Sequence, residues 1–385
     1  MTGAGAVSAL GRTSEEFYRR LLAGDSAVRP FTAEEREGLQ ATHVARYDSF
    51  TPAPEIPPMK ARRFDRGSQF AILACSQAIA EAGFPVAEAP ESVGIALGTG
   101  SAGAGALTEF LRVLLTESPE AAPPFHFPNT VANAPASQVS IELKLFGPNV
   151  TITQKDPSGL NALLFASLAL SSGRASAMLA GAVDEWNPVY ARGFDRVGAL
   201  RGDKRKSGIV QGEGGFAVLL EDGERAKARG ARPLARLAGI GTAGVPSEPY
   251  RFAPDPAAIE RAIRGALSEA ASEPSGVQLW FPSRNGVIEM DRAEEAVVGK
   301  VFGSPLPRAI SVKDAIGEMA AAGGGQMVAA CRALADPEGP FPPGAGPRRA
   351  LVNSFGAGGN FFAAVFESPW LFPTATALTA KREAR

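Results

Sequence analysis

The chain has 385 residues, with 39 Lys and Arg against 40 Asp and Glu and a formal net charge of -1. This balance excludes a typical nucleic-acid-binding protein, because such proteins hold phosphates with clustered, uncompensated basic residues. No apolar run of about 18 residues and no signal-peptide pattern is present, so we expect a cytoplasmic protein without a membrane partner.

Cysteine and histidine are the scarcest of the chemistry-bearing residues. The chain holds two of each, and Cys75, Cys331, His43 and His126 are scattered singly along it. Two cysteines do not make a disulfide framework, and zinc sites need closely spaced ligands. We therefore expect no metal and no other cofactor, and both cysteines are predicted to lie in the core.

The first predicted elements form a strand-turn-helix unit behind a core helix. Apolar spacing predicts a helix over residues 68–83 that ends at Gly83, and a strand over 91–99. A glycine-rich turn at 98–105 and a helix over 107–115 follow. The turn is open to two interpretations, phosphate binding or close backbone packing, and the absence of a GK[ST] sequence favours packing.

The next segment contains a helix start with an unusual first residue. A strand is predicted over residues 149–154, followed by the sequence DPSG at 156–159 and an apolar run. Asp is a good N-cap and Pro is favoured in the first helical position, so the pattern predicts a helix capped by Asp156.

The remaining elements repeat a similar order of strands and helices. Strands are predicted over residues 175–182, 214–221, 231–242, 277–281, 349–355 and 361–366, and helices over 224–228, 257–271, 293–301 and 317–334. This order predicts an internally duplicated α/β fold of layered sheets and helices. We expect two halves, residues 1–230 and 231–370, and a tail over 371–385.

Seven segments, in order, resemble the β-ketoacyl-[acyl-carrier-protein] synthases. They are GTGSAG (98–103), FPNTVANAPASQVSIELKLFGPNVTITQ (127–154), DPSGLNALLFA (156–166), LAGAVDEW (179–186), GEGGFAVLLED (212–222), SVKDAIGE (311–318) and NSFGAGGN (353–360). The resemblance implies the thiolase fold, a duplicated five-layered αβαβα arrangement, assembled as a dimer. The family usually has a strand before TGxGxxSxxG, whereas Met1 abuts TGAGAVSALG here, so most of the first strand is expected to be missing, through either a misassigned start or a shortened first sheet.

The resemblance also implies that three catalytic positions have been replaced. Asp156 stands where the family has its nucleophilic Cys, and Ser283 and Glu318 stand where it has two His residues. A carboxylate is a poor nucleophile toward a thioester, and the mixed anhydride it forms is labile in water. We therefore expect no catalytic residue of the family type.

Further positions of the family site are partly kept. Asn285 and Val287 replace the Thr residues of the loop that meets the pantetheine arm of the carrier protein, and Ala357 replaces the gating Phe. The residues retained as scaffold are Lys313, Glu294, Asn353, Ser354 and Gly359. We expect Lys313 to form a salt-bridged cluster with Asp156 and Glu318 in place of the active site.

The segment around residues 125–133 resembles the family's dimer interface. Phe125, His126, Phe127 and Asn133 are accordingly predicted to contribute to an interface or to line an acyl tunnel.

A chain that keeps the family's scaffold residues but lacks its catalytic residues resembles the chain length factors, which are ketosynthase-like subunits without the Cys. The resemblance implies a heterodimer with an active ketosynthase, in which this chain helps to shape the tunnel, with an acyl carrier protein reaching the complex. Those subunits commonly carry Gln where Asp156 stands. Two alternatives stay open: an enzyme that uses Asp156 for acyl-thioester hydrolysis or malonyl decarboxylation, and a homodimeric scaffold.

Overall fold

A computed structural model describes residues 1–124, 126–341 and 347–369. The strands are β1 (Gly3–Ser8), β2 (Arg29–Pro30), β3 (His43–Ala45), β4 (Val93–Gly98), β5 (Asn149–Ile152), β6 (Ala177–Asp184), β7 (Gln211–Gly212), β8 (Gly214–Glu221), β9 (Arg236–Gly244), β10 (Leu279–Phe281), β11 (Arg308–Ala309), β12 (Arg349–Gly356) and β13 (Asn360–Glu367). The tail over 371–385 that the sequence predicts lies outside the described residues.

The helices connect and cover these strands. They are α1 (Ser14–Leu22), α2 (Pro58–Ala61), α3 (Arg66–Ala82), α4 (Ala104–Thr116), α5 (Ala134–Leu143), α6 (Ser158–Ser171), α7 (Pro188–Arg196), α8 (Gly223–Ala228), α9 (Pro256–Glu269), α10 (Ile288–Phe302), α11 (Lys313–Ile316) and α12 (Ala322–Ala335). Within the described part of the chain, none of them is long and apolar enough to cross a membrane.

Both ends of helix α3 are determined by local sequence. The Asp65 side chain accepts a hydrogen bond from the Ser68 N–H, which caps the first turn. Gly83 ends the helix in the left-handed conformation, with a φ of 55°. The helix and its glycine stop, both predicted from the sequence, are confirmed.

The first sheet contains five strands in the order β1-β8-β6-β4-β5. Strand β1 pairs antiparallel with β8 through all six of its residues, from Gly3 opposite Leu219 to Ser8 opposite Gly214. The expected shortening of this strand is therefore wrong. Its small residues obscured it, because Gly3 and Gly5 carry no side chain where the carbonyls of α3 approach closely.

The second sheet has the order β11-β10-β12-β13-β9, and α9 and α10 cover its outer face. Helices α3 and α5 cover the outer face of the first sheet. Helices α6 and α12 lie between the two sheets, in the largest hydrophobic core. The molecule therefore has five αβαβα layers, and the predicted thiolase-like duplicated fold is confirmed.

Helices α6 and α12 meet through glycines in the central layer. A Cβ atom on Gly159 would lie 2.7 Å from the backbone nitrogen of Gly324, closer than real Cβ atoms come to backbone. On the other side of this contact, Gly323 faces the Cα of Gly159. Only glycine permits this backbone-to-backbone packing, which places the start of α6 beside α12.

Candidate functional site

Asp156 lies directly before α6, whose first residue is Ser158. Its predicted role as the N-cap is wrong, because Pro157 occupies that position and no side chain caps the helix. The Asp156 carboxylate instead reaches the turn after β12, where its Oδ2 accepts a hydrogen bond from the Ala357 N–H at 3.0 Å. Its backbone carbonyl accepts a second bond, from the Ser354 hydroxyl at 3.1 Å. Tertiary contacts, rather than its own helix, therefore hold this residue.

The Asp156 carboxylate is buried and has one free oxygen. The side chain retains 9% of its exposure, and no other described residue hydrogen-bonds to Oδ1. Burial raises the pKa of Asp156 above its ordinary value, while the charge of Lys313 and the Ala357 N–H oppose that rise. Asp156 therefore presents an acceptor without a protein partner to the space beside it.

Lys313 and Glu318 form the ionic centre of the site. The Lys313 Nζ lies 2.8 Å from the Glu318 Oε2, and both side chains are fully buried. Asn285 donates a second hydrogen bond to the same oxygen at 2.8 Å, and the Met319 N–H donates to the other. Burial raises the pKa of Glu318 to about 7, the Lys313 charge opposes this, and the nearby Asp156 adds to it.

The predicted cluster around Lys313 forms only in part. Lys313 pairs with Glu318, but Asp156 is not within the 4.0 Å of an ion pair in this described region. Lys313 acts on Asp156 at longer range, as its effect on the Asp156 pKa indicates. Because Lys313 is held by Glu318, it does not neutralise Asp156 directly.

Ser283 and Glu294 form a second buried group. The Ser283 hydroxyl accepts a hydrogen bond from the Phe355 N–H at 2.8 Å, while the Ser283 N–H donates to Glu294 Oε1 at 2.9 Å. Asn353 also donates to that oxygen, at 2.8 Å. Burial raises the pKa of Glu294 to about 7, against the effect of these donors. These contacts link β12 to the segment after β10, which is a structural role.

A cavity of about 180 Å³ opens beside Asp156 and reaches Glu318. Gln211 of β7 lies in its wall, where the short β7 strand bridges to Glu318. Aromatic side chains form much of the remaining surface: Trp186, Tyr190, Phe194, Tyr250 and Phe252. No sequence pattern identifies these five residues as a group, although Trp186 belongs to the LAGAVDEW segment, which was the available signal.

The glycine-rich turn after β4 encloses a carboxylate of the protein itself. Asp184 Oδ1 accepts hydrogen bonds from the N–H groups of Gly100 and Ser101, at 2.8 and 2.7 Å. The Thr99 hydroxyl donates to the same oxygen at 3.1 Å. These N–H groups are therefore occupied, which favours the packing interpretation over phosphate binding.

The other predicted site residues lie on two different surfaces. Phe127 is 61% exposed, Asn133 is exposed at the start of α5, and His126 is half-buried; Phe125 lies outside the described residues. Ala357 lines the cavity, while Gly359 has a φ of 78° in the β12–β13 turn. In the part of the chain described, no three His, Cys, Asp or Glu side chains are grouped as metal ligands.

The sequence matches two family models. The model described as "Beta-ketoacyl synthase, N-terminal domain" matches residues 1–226, and "Beta-ketoacyl synthase, C-terminal domain" matches residues 234–343. Together they cover most of the chain.

Similar curated proteins include 3-oxoacyl-[acyl-carrier-protein] synthase 2 of Coxiella burnetii, 30% identical over 84% of this chain and 82% of that protein. Nodulation protein E of Rhizobium leguminosarum bv. trifolii is also 30% identical, over 79% of this chain and 77% of its own length.

Among solved structures, the ishigamide ketosynthase/chain length factor is similar with a TM-score of 0.83 and 27% identity, covering 96% of this chain and 98% of that one. A chain of the AntDE:AntF complex, a type II PKS acyl-carrier protein with its ketosynthase, has the same fold, with a TM-score of 0.83 at 24% identity, covering 95% of this chain and 98% of that chain.

Proposed function

The chain belongs to the β-ketoacyl synthase family, and we propose that within it the protein is a non-catalytic, chain-length-factor-like subunit. It pairs with an active ketosynthase and helps to shape the acyl or polyketide tunnel of the complex. An acyl carrier protein is the partner of that complex as a whole.

The observation that carries this proposal is the hydrogen bond between Asp156 and Ala357. Acyl transfer needs a nucleophile and backbone N–H donors that stabilise the oxyanion as it forms. At the family's nucleophile position this chain has a carboxylate, and its Oδ2 already accepts from the adjacent Ala357 N–H at 3.0 Å. The Asp156 carboxylate, a poor nucleophile, thus already accepts the hydrogen bond of an N–H group that an oxyanion would need.

The two other replaced positions support the same conclusion. The Ser283 hydroxyl accepts from the Phe355 backbone, and Glu318 is held by Lys313 and Asn285. Neither His43 nor His126 is among the residues that line the cavity. A proton-transfer partner of the family's imidazole type is therefore missing from this wall.

The contacts of Asn285 argue against productive binding of a pantetheine arm at this subunit. Its amide donates to Glu318, and its Oδ1 accepts from the Val287 N–H at 3.1 Å. With both ends of the side chain engaged and an apolar Val287 following, the loop offers no free side-chain hydroxyl at either position. We propose that the carrier protein delivers its thioester to the partner subunit.

An unpaired strand edge offers a surface for that partner. Strand β5 ends the order of the first sheet and pairs only with β4 in the described chain. The apolar side chains of Ile141, Phe146 and Leu168, on or beside the flanking helices, are 65%, 67% and 57% exposed. We call β5 with these three side chains the β5 edge. An open strand edge flanked by exposed apolar groups favours pairing with another chain.

The proposal is tested by affinity purification of the tagged protein from its native host, with intact-mass and peptide identification of what accompanies it. We expect a partner in about 1:1 ratio, of similar size, that carries the Cys-His-His set. Recovery of the protein alone, at a mass that fits a homodimer, would contradict the heterodimer and favour the homodimeric scaffold.

One observation favours a second candidate function, in which Asp156 acts as a base in thioester hydrolysis or malonyl decarboxylation. Burial raises the pKa of Asp156, and this residue lines the cavity. An Asp156→Ala variant separates the two functions. The proposed subunit role predicts that product formation by the complex stays largely intact, whereas the enzymatic role predicts that turnover by the isolated protein is abolished.

A further inference from the structure

The cavity beside Asp156 has an acidic wall. It is lined by the carboxylates of Asp156, Asp184, Glu185 and Glu318 and by one lysine, Lys155. Where the family has a Cys and a His, this chain has placed carboxyl groups at positions 156 and 318. Both changes add negative charge to a buried space, which is costly unless a positive partner is present.

Two of these four carboxylates, Glu318 and Asp184, have hydrogen-bond partners at both oxygens. Glu318 is paired with Lys313, and Asp184 accepts several backbone and hydroxyl hydrogen bonds. Glu185 Oε1 accepts from the Gly105 N–H at 2.6 Å. Glu318 and Asp184 therefore need no ligand to compensate them, and the Gly105 N–H compensates one oxygen of Glu185.

Asp156, at a replaced catalytic position, is compensated by another described residue at one oxygen only. Its Oδ2 has the Ala357 N–H, but its Oδ1 has no hydrogen-bond partner from another described residue, although the side chain is nine-tenths buried. Lys313 is held by Glu318, and Lys155 forms no ion pair in this described region, its side chain being exposed. A largely buried carboxylate that lines a cavity, with one unpartnered oxygen and no ion pair among the described residues, is suited to an external cation.

The remaining walls favour an organic cation. Tyr190, Phe194, Tyr250 and Phe252 supply aromatic faces, which attract ammonium groups and pack against apolar ones. Gln211 Oε1 adds a buried acceptor that has no hydrogen-bond partner among the described residues. The volume, about 180 Å³, compares with the roughly 150 Å³ of an engineered apolar cavity that accepts benzene.

We propose that this cavity binds a small primary amine with an apolar or aromatic body, its ammonium group donating to Asp156 Oδ1 and Gln211 Oε1. This inference rests on the proposed function in one respect: a subunit without turnover leaves its own cavity free for a ligand that is not the growing chain. The amine is then a bound ligand and undergoes no covalent change.

The test compares three probes of similar size and different charge. The full-length protein is titrated calorimetrically with 2-phenylethylamine, 2-phenylethanol and phenylacetate, and separately with potassium and ammonium chloride. We expect the amine to bind about tenfold or more tightly than the alcohol, since hydrogen bonds to charged groups are stronger than neutral ones. Phenylacetate should bind most weakly, and the inorganic salts should compete only at high concentration.

Two variants locate the binding. Asp156→Asn keeps an acceptor for the Ala357 N–H and removes the charge, so the preference for amine over alcohol should disappear. Asp195→Asn is the matched control, because Asp195 is equally buried at 8% exposure but does not line the cavity. It should keep the wild-type preference.

Equal affinities of wild type for amine and alcohol, or no measurable binding of the amine, would overturn the proposal even if Asp156→Asn did not fold. Competition by potassium as strong as by the amine would instead identify an inorganic cation site and would also overturn it. Affinity purification tests the subunit role independently: a ketosynthase partner with no amine preference defeats only this inference, and an amine preference without a partner defeats only the subunit role.

Discussion

Lys313 and Glu318 form a fully buried ion pair with an Nζ–Oε2 distance of 2.8 Å, at the place where the family resemblance puts an active site. The same glutamate oxygen also accepts a hydrogen bond from Asn285. The pair connects the first residue of α11 to the short segment between α11 and α12. Its removal therefore tests the scaffold rather than the chemistry.

We predict that Lys313→Met lowers the free energy of unfolding by about 3 to 5 kcal/mol, because it leaves the Glu318 carboxylate buried without its cation. Denaturant unfolding followed by circular dichroism measures the change. The double variant Lys313→Met/Glu318→Met, which removes both charges, should recover most of the loss. An unchanged melting temperature of the single variant would count against the pair as a stabilising contact.

Stability should decrease as pH rises between about 4.5 and 8. The pKa values of Glu294 and Glu318 are raised from 4.5 to about 7, and that of Glu185 to about 8, in each case chiefly by burial. The folded chain thus holds more protons than the unfolded chain in this range, so raising the pH favours unfolding. Above about pH 8 these groups contribute no further change.

Unfolding measured at pH 5, 6, 7 and 8 checks this pH dependence. A Glu294→Gln variant should show a shallower loss of stability between pH 5 and 7, because it removes one of the titrating carboxyls. A wild-type stability that rises through this range would contradict the assignment of raised pKa values to these groups.

The β5 edge should be required for partner binding. Phe146→Asp places a charge among exposed apolar side chains and is expected to weaken capture of the ketosynthase about tenfold or more, with little change in folding. Leu306→Asp is the matched control, since Leu306 is 52% exposed at the far edge of the other sheet. Equal capture by both variants would show that the partner binds elsewhere.

Asp156 should stabilise the turn after β12 as an acceptor and not as a charge. Asp156→Leu leaves the buried Ala357 N–H without a partner and is predicted to cost about 1 to 3 kcal/mol. Asp156→Asn, which retains an acceptor, should cost less than about 1 kcal/mol. Denaturant midpoints of the two variants in parallel give the comparison, and a larger loss for Asn than for Leu would contradict it.

The glycine contact in the central layer should tolerate no side chain. Gly159→Ala brings a Cβ within 2.7 Å of the Gly324 backbone nitrogen and is predicted to destabilise the fold by about 1 to 3 kcal/mol. Gly299→Ala in α10, where a new Cβ meets nothing within 4 Å, should instead raise stability by about 0.5 to 1 kcal/mol. Thermal unfolding of both variants measures the contrast.

The elements that the sequence predicted well are those whose ends are determined locally. Gly83 stops α3 where the sequence placed the stop, and β8 covers the predicted residues 214–221. Helix α12 begins at Ala322 instead of 317, because Gly317 adopts a φ of 77° that interrupts the helix. Helix α10 begins at Ile288, five residues before the prediction, since its first turn lacks the regular apolar spacing of the rest.

The site was less predictable because its contacts join distant parts of the chain. Family order identified positions 156, 283 and 318, but local sequence alone suggested an N-cap for Asp156, whereas its partner Ala357 lies 201 residues away. Lys313 pairs with Glu318 and not with Asp156, and this likewise depends on distances that are set only when the layers pack together. Aromatic residues such as Tyr250 gave no signal, because they come together only when loops from both halves converge.

The glycine contact between α6 and α12 also limits how this protein can change over evolution. Since these two backbones touch, the cavity wall at Asp156, just before α6, cannot recede without separating the central layer. A longer or wider ligand must be accommodated by the wall that α7 and the segment around Tyr250 form, where Tyr190, Phe194 and Tyr250 are already partly exposed. Divergence in ligand size among relatives should therefore be concentrated there, with the glycines held constant.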